Sequence, residues 1–368
     1  MRAARAGVEA LEEELARERR ALERRSPPYA RALELLPGVL AGPEGRFLAA
    51  AWEARRFFAW YERPLLLLAA IRNDVLAEGE THPLWPAFGP DADPGAVEAD
   101  ALRETLAGGR DRVFDALVRR SVQTNETSRA IAWLWPAALA GASGGARTIA
   151  LADVGASAGL NLVADALPPI WTDEGGAPVE VAQGVRAVAR LGLDPAPLDA
   201  LSEEDARWLR ACLWPGEAER ETRLLAAIDA FRAARIRPDA PVLVPVAAPN
   251  VPSRLDLLSA SDGAALVVAS QTVVRDYLDP ADRAEYERGM REWLATRPPG
   301  NALWAELEAA DEDAREAALV VHVRGPDGRL RDVELGRTGM HPRVVRRDAA
   351  AEAELRTVLA REDAVANA

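Results

Sequence analysis

The chain has 368 residues, room for one large domain or two ordinary ones, with 49% apolar and 28% charged residues and a formal net charge of −13. That balance argues against a nucleic-acid partner, which Lys and Arg would have to hold by neutralising phosphates. All 45 basic residues are arginine, which removes a P-loop, whose lysine reaches the terminal phosphates, and any Schiff-base or pyridoxal chemistry. A single cysteine, Cys212, and three distant histidines, His82, His322 and His341, exclude internal disulfides and any Cys-rich or His-rich metal centre, so no metal is expected.

The opening stretch MRAARAGVEALEEELARERR places Glu9, Glu12, Glu13 and Glu14 where a secretory signal needs an apolar core. The apolar runs at 64–71 and 131–142 are shorter than the ~20 residues that span a bilayer. A cytoplasmic protein with no membrane partner is expected. From 1 to 118 the periodic segments read as helix: Leu11, Leu15 and Leu22 keep helical spacing, as do ARALELLPGVL, GRFLAAAWEARRFFAWYERPLLLLAAIRND and GAVEADALRETLAGGRDRVFDALVRR. Breaks fall at Ser26-Pro27-Pro28, at Gly42-Pro43 and in THPLWPAFGPDADPG.

Beyond 118 strands alternate with helices, the pattern of a mostly parallel sheet. Strands are expected at about 147–153, within 179–193, and at 241–247, 264–269 and 302–307, with helices at about 159–166, 203–212, 217–234 and 280–296. EAALVVHVRG and GRLRDVELGR flank Pro326-Asp327-Gly328, a turn so tight that the two strands must be antiparallel. A helical tail, AAAEAELRTVLARE, follows. The expected organisation is therefore a helical domain over 1–118, an α/β domain over 119–345 and a tail over 346–368. Leu-Trp-Pro occurs at 84–86, 134–136 and 213–215 with different flanks, and reads as three helix ends or turns. A parallel sheet closed by an antiparallel hairpin, with a glycine loop after its first strand, resembles the Rossmann-like sheet of class I S-adenosylmethionine-dependent methyltransferases.

The glycine loop lies in IALADVGASAGLNLVADALP, residues 149–168, and two chemistries claim it. As Asp-x-Gly-x-x-x-Gly (Asp153, Gly155, Gly159) it is a nucleotide-cradling turn, in which Ala156, Ser157 and Asn161 also line the approach and the following helix offers its N-terminal amides. As Gly-x-Ser-x-Gly it is the nucleophile elbow of a serine hydrolase, with Ser157 followed by Asp262 or Asp276 and then His322 or His341. The elbow needs a sheet already built upstream and an early oxyanion segment, and the 146 residues before GASAG read as helix. His322, in LVVHVRG, reads as a strand residue, which leaves His341 as the better base.

Geometry nominates further residues. A helix that leads by a short loop into a strand starts near that strand's C-terminal end, where ligands bind in open sheets. The segment SVQTNETSRAIAWLW therefore points Gln123, Asn125, Glu126 and Arg129 at the crevice of GASAG, unless Thr124 or Asn125 merely caps the helix. By the same rule Ser270, Gln271, Arg275, Asp276 and Tyr277 follow the fourth strand, with Asp276 as a candidate base and Tyr277 as a stacking or hydrogen-bonding group. His82, in GETHPLWP, is a candidate contributor from the helical part, and Arg72, Arg129 and Arg275 suit an acidic acceptor. For the ribose hydroxyls, Asp173 and Glu174 lie at the usual ~20-residue spacing, whereas Asp194 better fits a strand end.

SPPYARAL, RNDVLAEGETHPLWPAF, VQTNETSR, ADVGASAGLNL, GLDPAPLD, LWPGEAER and ASQTVVRDYL, which together span about 26 to 280, resemble a bacterial family designated domain of unknown function 2332. The resemblance implies a fold and a motif set, not a reaction. Members of that family carry a Gly-Asp pair after the third strand; here VLVPVAAPNVPSRLDLL has Asn250 nearby and Asp256 several residues late. Ser157 stands where many methyltransferases have a middle glycine. The expected function is methylation of a small molecule with S-adenosylmethionine as cofactor; the alternatives are a serine hydrolase at Ser157 and a non-catalytic protein on the same fold.

Overall fold

A computed structural model describes residues 2–53, 55–57, 59–107, 110–123, 125–142, 147–181, 185–259, 265–310 and 316–360. Thr124 and Asp262 lie outside the described residues. The chain divides into two compact units, Met1–Thr124 with Leu201–Leu224, and Asn125–Ala200 with Leu225–Ala368. Among the described residues no helix is long and apolar enough to cross a membrane.

The first unit is helical. Its helices begin where prolines permit: Pro27–Leu40 and Pro43–Trp52 each have Pro in the first turn, where the missing N–H is not needed. The segment expected as helix over 45–74 instead holds parts of two helices, Pro43–Trp52 and Glu62–Glu78, the second ending at Gly79 with φ 75°. Glu62–Glu78 is buried along Leu66 to Val75, and within it Arg72 donates to the carbonyls of Phe88, Arg210 and Leu213 and pairs with Glu221. The helix Glu203–Ala211, expected between sheet strands, belongs to this unit.

The second unit is α/β. Its nine-stranded sheet has the order β2-β9-β8-β7-β6-β5-β1-β3-β4, with β1 Arg147–Val154, β2 Thr172–Asp173, β3 Val185–Asp194, β4 Val242–Pro245, β5 Leu266–Thr272, β6 Ala302–Ala309, β7 Ala317–Arg324, β8 Leu330–Thr338 and β9 Val344–Arg347. The strands β4, β3, β1, β5 and β6 are mutually parallel, and β6 to β9 form an antiparallel meander. The sheet is thus mostly parallel, as expected, but its antiparallel part exceeds one hairpin: β9 pairs with β8 and, in parallel, with the two-residue β2.

Alternate residues of β1 serve opposite faces. Ile149 and Leu151 pack with the helix Ile131–Ala142 and with Leu355 and Val358 of the helix Ala349–Leu359, so the C-terminal helix is part of this unit's core. Ala150, Ala152 and Val154 pack under Leu255 of the helix Val251–Ser259 and Tyr286, Met290 and Trp293 of the helix Pro280–Ala295. The middle Leu-Trp-Pro is no helix end, because Pro136 lies inside Ile131–Ala142, where burial of Trp133 and Trp135 outweighs the lost amide. The segment after the glycine loop, expected as an α-helix, is the 3-10 helix Leu160–Ala166. The two prolines at 168 and 169 follow it closely, which limits it to two short turns.

Candidate functional site

Counted within the parallel set, the order β4-β3-β1-β5-β6 runs third, second, first, fourth, fifth, so connections leave β1 in opposite directions on its two sides. In open α/β sheets ligands bind outside the carboxyl ends of the strands at such a reversal. The chain leaves β1 there through Gly155-Ala156-Ser157-Ala158-Gly159.

Gly155, Ser157 and Gly159 have φ of 70°, 52° and 71°. A glycine takes this left-handed geometry freely; a serine does so only when its surroundings hold it. Here Asp194 Oδ2 accepts from the Ser157 amide at 2.8 Å, the Ser157 carbonyl accepts from Leu198 N–H at 3.2 Å, and Asn125 Nδ2 donates to Ser157 Oγ at 2.7 Å. The amides of Gly155 and Ala156 both go to the Leu193 carbonyl, and that of Gly159 to the Ala156 carbonyl. Four of the turn's five amides, those of Gly155, Ala156, Ser157 and Gly159, thus go to protein acceptors, and the Asp194 carboxylate takes the Ser157 amide that an anion cradle would offer to a phosphate. Packing adds a second constraint: a Cβ on Gly155 would come within 2.8 Å of Val274 Cγ2, and one on Gly159 within 2.7 Å of Leu243 Cδ2.

Asp153 is the penultimate residue of β1, paired in register with Gly192 of β3 and Ser270 of β5. It is 3% exposed, and its Oδ2 has no hydrogen-bond partner. Burial first, then the negative charge of Asp194, push its pKa up to about 8, so the carboxyl is largely neutral at pH 7. An acid raised in this way favours the fold when protonated. Its contribution is largest below about pH 4 and declines as the pH climbs to about 8. Asp153→Asn is accordingly expected to gain roughly 3 kcal/mol or more on the wild type between about pH 4.5 and pH 8.5, read from denaturant unfolding at both values. A difference that does not change with pH would contradict this assignment.

Asp194 ends β3, with Oδ1 accepting from Ala196 N–H at 2.8 Å. Asp173, the alternative, instead accepts from the amides of Gly175 and Ala177 in its own turn. Asn161 lies in the 3-10 helix; its carbonyl accepts from Trp133 Nε1, and its buried side-chain Oδ1 has no partner. After β4, Asn250 ends a short 3-10 turn and Asp256 pairs with Arg297.

The segment before the helix Ile131–Ala142 reaches the same edge through Asn125. Glu126 is buried, with Oε1 accepting from Ser128 N–H at 3.0 Å and Oε2 lying 3.3 Å from His341 Nδ1. Arg129 donates through Nε to the Met340 carbonyl at 3.0 Å.

The loop after β5 is strained at Val273, a β-branched residue with φ 56°. Glu308 at the end of β6 holds it, accepting from Val274 N–H at 3.0 Å and from Gln271 Nε2 at 2.7 Å. Tyr286 Oη–H and Trp304 Nε1 both donate to Gln271 Oε1. Burial raises the Glu308 pKa to about 7 against the lowering effect of the donors from Val274 and Gln271. Ser270 is buried in register with Asp153, and Arg275 is held by Glu306 and Glu287. Asp276 and Tyr277 sit in a 3-10 turn, Tyr277 37% exposed, and Asp279 caps the next helix. His322 is a strand residue, stacked on Trp304 between Asp332 and Glu306.

Gln123 and His82 belong to the first unit. The Gln123 amide donates to Cys212 Sγ. His82 Nδ1 accepts from Leu84 N–H, and its Nε2 faces Asp74 Oδ2 at 3.3 Å. Asp74, Glu78 and His82 are close enough to hold a metal ion, but Arg110 donates to both carboxylates and Arg112 to Asp74. Burial works against ionisation of Asp74, yet the donors from His82, Arg112 and Arg110 hold its pKa down to about 2. The three guanidinium candidates for an acidic acceptor, Arg72, Arg129 and Arg275, all bind protein groups.

Sequence reasoning missed Glu306 and Glu308. The signal was present in WAELEA: two acids at alternate positions of a strand inside a doubly covered sheet must be buried on one face.

Fold and site define a two-unit protein whose α/β unit carries a glycine turn at the carboxyl ends of its parallel strands. Over residues 13–347 the chain matches the family described as an uncharacterised protein conserved in bacteria, domain of unknown function 2332, and it belongs to that family. A comparison with curated proteins gives no match.

Proposed function

We propose that this protein is an S-adenosylmethionine-dependent methyltransferase acting on a small molecule, on a class I methyltransferase-type sheet. The carrying observation is the turn after β1: a left-handed glycine loop whose phosphate position is filled by Asp194, beside a buried carboxyl with an unpartnered oxygen, Asp153. Such a turn disfavours a phosphate-bearing dinucleotide and suits a ligand with an ammonium group and hydroxyls.

The residues fit that ligand. Asp153 Oδ2 would take the ammonium of the methionine part. Asp194 has two backbone donors on a carboxylate with about four acceptor positions, which leaves capacity for ribose hydroxyls. Asn161 Oδ1 is a further buried acceptor in want of a donor. When bound, the cofactor supplies an electrophilic methyl group on a sulfonium. The chain contributes orientation, and Ser270, Asp276 and Tyr277 stand at the end of or just beyond β5, on the acceptor side.

Calorimetric titration with S-adenosylmethionine and S-adenosylhomocysteine tests this. Micromolar binding is expected, with release of about one proton near pH 7, seen as dependence of the heat on buffer ionisation, because an ammonium docking on neutral Asp153 drives its ionisation. No heat with millimolar ligand would overturn the proposal.

Ser157 favours a second reading, since a serine with φ 52° in a Gly-x-Ser-x-Gly turn after a strand resembles a nucleophile elbow. Its hydroxyl, however, accepts from the Asn125 amide, which is no base. A fluorophosphonate is expected to leave Ser157 unlabelled; labelling there would replace the methyltransferase reading with a hydrolase.

A further inference from the structure

The glycine turn is fixed on its two sides by different means. Toward β3 it is hydrogen-bonded, through the amides of Gly155 and Ala156 to the Leu193 carbonyl and that of Ser157 to Asp194. Toward β5 it meets one side chain. A Cβ on Gly155 would lie 2.8 Å from Val274 Cγ2, and apart from the adjoining residues 154 and 156 no other described atom comes within 4 Å of that position. The place of Val274 therefore sets the room on that side of the turn.

Val274 is held there against the preference of its neighbour. The ladder between β5 and β6 ends with Val273 N–H donating to the Leu307 carbonyl at 3.0 Å, and Val273 then takes φ 56°, which a β-branched residue adopts only under constraint. The constraint comes from Glu308 on β6, the second strand from β1. Its Oε1 accepts from Val274 N–H at 3.0 Å and from Gln271 Nε2 at 2.7 Å, and its Oε2 lies 3.4 Å from the Arg275 amide. Gln271 cannot turn its amide over, because Tyr286 Oη–H and Trp304 Nε1 both donate to its Oε1, and an indole nitrogen only donates. Its Nε2 is thereby directed at Glu308. Gln271, Val274 and Glu308 are all buried, so removing the carboxylate leaves two donors unmet.

We propose that Glu308 is a positioning residue for the ligand turn: through Val274 it sets how closely the loop after β5 packs on Gly155, and so controls affinity at the turn from two strands away. The coupling between Glu308 and Gly155 does not depend on what binds. Its effect on affinity rests on the methyltransferase reading.

The test uses the full chain with Glu308→Ala, Glu308→Gln, Val274→Ala and the double variant Glu308→Ala, Val274→Ala. In ligand-free protein labelled with 15N-glycine, the Gly155 amide signal, assigned by its loss in Gly155→Ala, is expected to move in Glu308→Ala. It should return to the wild-type position in Glu308→Gln, whose amide oxygen meets the same two donors. Calorimetry with S-adenosylhomocysteine is expected to show affinity lowered about tenfold in Glu308→Ala, within the range by which residues away from a ligand modulate its binding. In the Val274→Ala background the same change should alter affinity less than about twofold, because the side chain that carries the effect is gone. A Gly155 signal that stays in place in Glu308→Ala, lost thermal stability with wild-type affinity, or equal losses of affinity with and without the Val274 side chain would each overturn the proposal. Should Glu308→Ala not fold, Glu308→Asp, with its carboxylate drawn back by one methylene, carries the same comparisons. If neither S-adenosylmethionine nor S-adenosylhomocysteine binds the wild type, the methyltransferase reading fails, and the Gly155 signal alone decides the coupling.

Discussion

Gly155→Asp is expected to weaken binding of S-adenosylhomocysteine on the order of 100-fold, about 2.7 kcal/mol, and to destabilise the second unit. Two physical effects act together. The residue has φ 70°, where any side chain costs about 1–2 kcal/mol, and its Cβ would come within 2.8 Å of Val274 Cγ2. Val274 cannot easily withdraw, because its amide is bound to Glu308 and its neighbour Val273 is itself strained. The new carboxylate also adds negative charge beside Asp153 and Asp194, at the place assigned to the ligand. Gly155→Ala separates these causes: it keeps the strain and the clash without the charge, so it should lower thermal stability while retaining more of the affinity. Wild-type affinity in Gly155→Asp, measured by calorimetry, would mean that the turn is not the ligand site.

Arg190→Met is expected to cost roughly 3–5 kcal/mol of stability, the range for removing one partner of a buried ion pair. Arg190 of β3 is 3% exposed, donates from both terminal nitrogens to Asp165 at 2.7 Å and through Nε to Asp239 at 2.9 Å, and reaches the Leu162 carbonyl. Burial works against the charge of Asp239, while the Arg190 hydrogen bond and charge hold its pKa below the ordinary value. Removing the guanidinium strands two carboxylates and frees the 3-10 helix that follows the glycine turn. Denaturant unfolding reads the loss. The triple variant Arg190→Met, Asp165→Asn, Asp239→Asn should recover much of it, since neutral partners no longer need a buried cation. A loss under about 1 kcal/mol in the single variant would show that this cluster is a solvated surface pair and not an anchor.

The parallel strands were legible because each is a short apolar run between helical segments, and RTIALAD, AALVVA and ALWAEL admit few other readings. The hairpin was legible from Pro326-Asp327-Gly328. The last two strands at one end of the sheet were not: β2 has two residues and β9 four, too short to show alternation, and β9 begins directly after His341-Pro342-Arg343. Glu203–Ala211 could not be assigned to a unit from its own pattern, because an amphipathic helix presents the same face to a helical bundle as to a sheet. At the site, Asp153, Gly155 and Gly159 follow from spacing, whereas the occupation of the turn by Asp194 depends on a register between β1 and β3 that no local pattern encodes. Likewise the meeting of His341 with Glu126 joins residues 215 apart, and only the direction of the meander reveals it.

A crystal structure with S-adenosylhomocysteine tests the central claim most directly. The account predicts density on the Asp153 to Asn161 turn, with the amino group against Asp153 Oδ2, the ribose hydroxyls toward Asp194 and the sulfur at the C-terminal edge of β1 and β5. Ligand bound elsewhere, or a turn left unchanged at saturating ligand with Asp153 still unpartnered, would contradict it.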